Sequence, residues 1–116
     1  MTASGARAAG AVVLALAAGC APAHGARSVA TAVVNLPRSY LYAPAAITVP
    51  AGTRVTWTNS DVFTHSVRLL DLGDTNLVMK PGEAASYTFT QPGLHRYDCA
   101  FHGQMMKGTV EVTAEK

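Results

Sequence analysis

The sequence predicts an all-β protein, a Greek-key sandwich of seven to eight strands. Apolar and polar residues alternate in Arg54-Val55-Thr56-Trp57-Thr58-Asn59 and in Ala85-Ser86-Tyr87-Thr88-Phe89-Thr90, the period-two pattern of half-buried strands. Gly and Pro punctuate these runs at close spacing, in Pro50-Ala51-Gly52-Thr53, Lys80-Pro81-Gly82-Glu83 and Gln91-Pro92-Gly93, and such clusters mark turns. No amphipathic helical window interrupts them. Short strands joined in this way pack as sandwiches.

The chain has 116 residues, one domain at most, and its N-terminus is read as lying outside that domain. Residues 1–19 have the pattern of a secretion signal, with Arg7 as the positive region and Ala11 to Ala18 as an apolar core too short to span a bilayer. Leu16-Ala17-Ala18-Gly19-Cys20 resembles a bacterial lipobox, which implies lipidation of Cys20. Ala17 stands where Leu is usual. The alternative is cleavage after Ala23, which would discard Cys20. Residues 20–30 read as a flexible tether carrying a solvent-exposed His24, and residues 31–116 as the folded domain.

Cys20 and Cys99 are the only cysteines, and a disulfide between them would consume the thiol that the last loop is built around. The domain is therefore expected to rely on its core, for which about ninety residues suffice. Charge is nearly balanced, with nine Lys and Arg against seven Asp and Glu. That excludes a basic face for nucleic acid or anionic lipid. The membrane would be met through the lipid anchor alone, and the protein is expected to be a monomer.

Taken in order, Ala32-Val33-Val34-Asn35-Leu36 opens the domain, and Tyr40-Leu41-Tyr42-Ala43-Pro44 reads as the next extended run. Ile47-Thr48-Val49 enters the first Pro-Gly turn, and the strand containing Val55 and Trp57 leaves it. His65 to Leu70 follows a short loop, and Leu77-Val78-Met79 follows another. Ala85 to Thr90 and Leu94 to Cys99 flank Gln91-Pro92-Gly93. Thr109 to Thr113 closes the fold.

The chemistry lies in Tyr97-Asp98-Cys99-Ala100-Phe101-His102-Gly103-Gln104-Met105-Met106-Lys107-Gly108. A buried free cysteine alone is common and inert. Here His102 follows three residues later in a turn, which lets two donors converge, and a thioether comes just after. With His65 from upstream, two imidazoles, one thiolate and a weak axial methionine form the donor set of a blue-copper electron-transfer site. Zinc also takes Cys and His, but a thioether does not suit it. His95 is in phase with Cys99, yet four extended residues put it about 13 Å away, so packing is its expected role.

Several stretches together resemble the cupredoxins, the blue-copper proteins that include plastocyanin, amicyanin and azurin. These are Pro50-Ala51-Gly52-Thr53 with Val55, Trp57 and Asn59; His65-Ser66-Val67; Pro92-Gly93; and Tyr97-x-Cys99-x-x-His102 followed by Met106-x-Gly108-x-Val110. The resemblance implies a sandwich fold, one copper ion cycling between Cu(I) and Cu(II), and electron transfer. It implies His65, Cys99 and His102 as ligands, His65 because it opens an apolar run just after the Trp57 strand. For the axial position, the count from His102 allows Met105 or Met106. The count back from the closing strand favours Met106, and Met105 stays as the alternative.

Two departures from the family pattern concern the surroundings of the metal. Ser66 follows the first histidine where Asn is common, and Ala100 follows the cysteine where Ser or Thr is common. A side-chain link between the ligand loops is therefore expected to be weakened. Phe101 replaces a frequent proline, and its N–H is expected to reach the Cys99 sulfur and raise the reduction potential.

The expected function is one-electron transport in the bacterial cell envelope, with redox proteins docking near His102. The alternative is copper binding or delivery without electron transfer. Catalysis of the multicopper type needs further histidines, and only His24, His65, His95 and His102 exist. No enzymatic activity is expected.

Overall fold

The computed structural model describes residues 27–114. The signal, Cys20, His24 and most of the tether lie outside these residues. Nine strands run in order: β1 (Val29–Ala30), β2 (Val33–Leu36), β3 (Ala46–Pro50), β4 (Thr53–Asn59), β5 (His65–Leu69), β6 (Asn76–Met79), β7 (Ala84–Phe89), β8 (Gly93–Asp98) and β9 (Lys107–Thr113). They form a six-stranded sheet, β1-β3-β9-β8-β5-β6, and a three-stranded sheet, β2-β4-β7. Both are mixed: β3 runs parallel to β9 and β2 parallel to β4, while β8 pairs antiparallel with β9 and β7 with β4.

The inward residues of the two sheets meet in one core. Val55 and Trp57 from β4, Val67 and Leu69 from β5, Tyr97 from β8, and Val110 and Val112 from β9 are all buried there. Alternation along β3, β4 and β9 assigns one face to this core, whereas β5 buries His65, Ser66 and Val67 in succession. Burial therefore carries the sandwich, as expected of a domain without a structural disulfide. The turn at Lys80–Glu83 shows how sequence fixes the links. Glu83 N–H donates to the Lys80 carbonyl at 2.9 Å, and Gly82 supplies φ +87° after Pro81, the type II pattern of Pro then Gly.

Two elements differ from the sequence expectation. Tyr40–Pro44 is not a strand. Pro37 and Pro44 remove backbone donors at its ends, and the segment turns at Arg38–Tyr40, with Ala43 alone pairing to Asn35. In exchange, Val29 and Ala30 pair with Ile47 and Thr48 as a short parallel edge. Among the described residues the strand count is thus nine rather than seven or eight.

One close packing decides the end of the sheet that carries the metal loop. Tyr97 and Gly108 face each other across β8 and β9, and a Cβ on residue 108 would overlap the Tyr97 ring. Only glycine lets β9 run against that ring.

Candidate metal centre

β8 ends at Asp98, and the chain returns to β9 through a loop closed by its own backbone. His102 N–H donates to the Cys99 carbonyl at 3.1 Å, Met106 N–H to the His102 carbonyl at 3.0 Å, and Cys99 N–H to the Met106 carbonyl at 3.3 Å. These bonds fold Cys99, His102 and Met106 into one small circuit. β5 adds His65 as its first residue, delivered by the loop after β4.

Cys99 Sγ lies 3.7 Å from His102 Nδ1 and 3.9 Å from His65 Nδ1, and the three donor atoms all fall within 4.8 Å of one another. Donors spread around a metal at bond lengths of about 2.0–2.3 Å are separated by such distances. Cys99 and His65 are fully buried, and His102 is half-buried. Met106 is 0% exposed and sits in the same cluster as Cys99, whereas Met105 is 60% exposed on the rim.

The residues around the donors fix their orientation. Asp61 Oδ2 lies 2.8 Å from His65 Nε2, so a proton on Nε2 leaves the Nδ1 lone pair facing the thiol. The Asp61 carboxyl is held below the usual carboxylate range, chiefly by this hydrogen bond and further by the Val62 N–H, against the opposing effect of burial. Asn59, itself buried, organises the loop. Its Nδ2 donates to the carbonyls of Phe63 (2.8 Å) and Met79 (3.0 Å), and its Oδ1 accepts the Asp61 N–H at 2.9 Å.

Ser66 is the node between the two ligand loops. Its N–H donates to Cys99 Sγ at 3.4 Å, its Oγ accepts the Ala100 N–H at 2.8 Å, and its carbonyl accepts the Tyr42 hydroxyl at 2.6 Å. Burial raises the Tyr42 phenol above its ordinary pKa, with the neighbouring Cys99 adding to the effect, so it remains a donor. The expected weak link is corrected here. Ala100 needs no side chain, because its backbone N–H completes the latch. Phe101 N–H, by contrast, makes no hydrogen bond to Cys99 Sγ among the described residues; the sulfur's backbone donor is Ser66.

The family model for the cupredoxin-like domain matches residues 8–112. This chain belongs to the cupredoxin family. It is 31% identical over 84 residues to a plastocyanin of Scenedesmus fuscus, covering 62% of this chain and 86% of that one. To an amicyanin of Paracoccus denitrificans it is 38% identical over 69 residues, covering 55% and 52% respectively. Among solved structures, a purple cupredoxin from Nitrosopumilus maritimus matches with a TM-score of 0.61 at 26% identity, over 72% of this chain and all of that one. A reduced amicyanin carrying a proline-to-phenylalanine substitution matches with a TM-score of 0.62 at 35% identity, over 69% and 79%.

Copper is the ion of this family, and the donors of this cupredoxin fit it: one soft sulfur, two imidazoles and a buried thioether close by. His95 takes no part. Its Nδ1 meets Asp71 Oδ2 at 2.9 Å and its Nε2 the Gln91 carbonyl at 2.8 Å. Both ring nitrogens face acceptors, and the ring packs on Phe89. Beneath the loop, Arg68 pairs with Asp98 through two bonds of 2.8 and 2.9 Å, tying β5 to the residue before Cys99.

Sequence reasoning missed the roles of Asp61, Tyr42 and the Arg68–Asp98 pair, and took Asn59 only as part of a family pattern. Only Asp61 left a usable local signal, a carboxylate four residues before a candidate ligand in an Asn-x-Asp turn.

Proposed function

We propose that this cupredoxin is a mononuclear type 1 copper protein that carries single electrons between redox proteins of the bacterial cell envelope. The observation that carries the reading is the convergence of Cys99 Sγ with the Nδ1 atoms of His65 and His102. His65, Cys99 and His102 would hold the ion, with Met106 as the axial donor. Copper bound there supplies a one-electron couple.

The chain's own residues do the rest. Asp61 and Ser66 hold His65 and Cys99 before any metal arrives, so little rearrangement accompanies a change of charge. The core excludes water from the sulfur side. His102 lies nearer the surface, ringed by exposed Phe63, Phe101 and Met105. A small apolar face of this kind suits weak, transient docking. The export signal, lipidation of Cys20 and monomeric state belong to this proposal on the sequence features described above, with cleavage after Ala23 as the other route. The protein acts as a carrier and not as an enzyme.

Voltammetry of the copper-loaded protein, paired with a Cu(I) chelator challenge, tests the reading. A single reversible one-electron wave with copper retained supports it. Ready loss of copper with no reversible wave would favour the delivery alternative, which a buried thiol disfavours.

A further inference from the structure

Ser39 and Tyr40 are non-glycine residues at φ +109° and +55°. Two such residues in succession are uncommon, and for a bulky side chain the conformation is a strained outlier. Strain of this kind persists only where the surroundings fix it. At Tyr40 the surroundings are the metal centre. Its ring lies edge-on to His102 with centroids 4.8 Å apart and edge-on to His65 at 6.0 Å. It stacks on Phe63 at 5.9 Å and an interplanar angle of 17°.

We propose that Tyr40 is a positioning residue of the metal centre. Its ring sets the plane of the His102 imidazole and, with Phe63, walls off the outer edge of the two histidines. The strained Ser39–Tyr40 turn exists to deliver that ring. His102 sits in a loop without a strand partner of its own, and no side-chain hydrogen bond to its Nε2 is present among the described residues. The aromatic contact therefore does for His102 what Asp61 does for His65. The wall also limits approach by small exogenous ligands. The proposal rests on His102 being a ligand, but its first test does not require metal.

In metal-free protein, the ring carbon-bound protons of His102 are followed by NMR in the parent, in Tyr40→Phe and in Tyr40→Ala. Tyr40→Phe should keep the parent shifts, because the ring and not the hydroxyl does the work. Tyr40→Ala should change the NOE contacts between the His102 ring and Cys99, an effect that loss of the Tyr40 ring current alone does not produce, while the signals of His95, remote from Tyr40, stay in place and report an intact fold. With Cu(II) bound, azide affinity should rise about tenfold in Tyr40→Ala, the scale of a lost aromatic pair. Unchanged His102–Cys99 contacts in Tyr40→Ala, or an equal change in Tyr40→Phe, would overturn the proposal. A chain that binds no copper would defeat the proposed function, and the metal-free comparison would still decide the role of Tyr40.

Discussion

Ser66→Ala removes one oxygen from a fully buried residue and leaves the backbone bonds of Ser66 to Cys99 Sγ and Tyr42 in place. What is lost is the acceptor of the Ala100 N–H at 2.8 Å. An unmet buried donor costs about 1–3 kcal/mol. Ala100 itself is exposed, so water can reach part of that group, and the low end applies, about 1–1.5 kcal/mol. The loss should appear as a lower urea midpoint of metal-free protein with an unchanged slope. Ser86→Ala is the control. Its hydroxyl shares a 3.1 Å contact with Thr56 on a half-buried strand face, and the change should stay within about 0.5 kcal/mol. Hydrogen exchange of the Ala100 amide gives a local reading, with protection falling about tenfold per 1.4 kcal/mol. A Ser66→Ala variant as stable as the parent, with the Ala100 amide equally protected, would refute the assignment of Ser66 as the latch.

Gly108→Ala should destabilise the fold by about 1–3 kcal/mol, the usual cost of overpacking, because the new methyl overlaps the Tyr97 ring; thermal melting measures it. Met106→Leu should raise the reduction potential of the copper-loaded protein by about 60 mV, tenfold in a one-electron constant. Met105→Leu should leave it unchanged, and voltammetry of both separates the two methionines. Asp61 has a depressed folded pKa, so its contribution is fully present above the ordinary carboxylate range and lost as pH falls through the folded value. Urea midpoints of metal-free protein between neutral and acid pH should therefore fall more for the parent than for Asp61→Asn.

Much of this protein is legible in its residues because its strongest signals are local. Cys99 and His102 are three apart, and one loop decides their meeting. Val55 and Trp57 alternate on a strand whose turns are written in Pro and Gly. His65 is harder, since its partners lie 34 and 37 residues away, and a resemblance supplied what spacing could not. The remainder depends on tertiary contact. The Ser66 latch closes on a backbone N–H, which no side chain at residue 100 announces. Tyr40 reads as strand because aromatic residues favour strands, but its contacts with Phe63, His65 and His102 come from two distant segments. The two residues of β1 are too few to show a period.

The most direct test of the central claim is the visible absorption spectrum of the protein after addition of Cu(II), with Cys99→Ser beside it. Bonding of a thiolate to Cu(II) within this donor set predicts an intense blue band that reductant bleaches, oxidant restores and Cys99→Ser lacks. A pale parent solution, or a band that survives Cys99→Ser, would contradict the assignment of Cys99, His65 and His102 as one copper site.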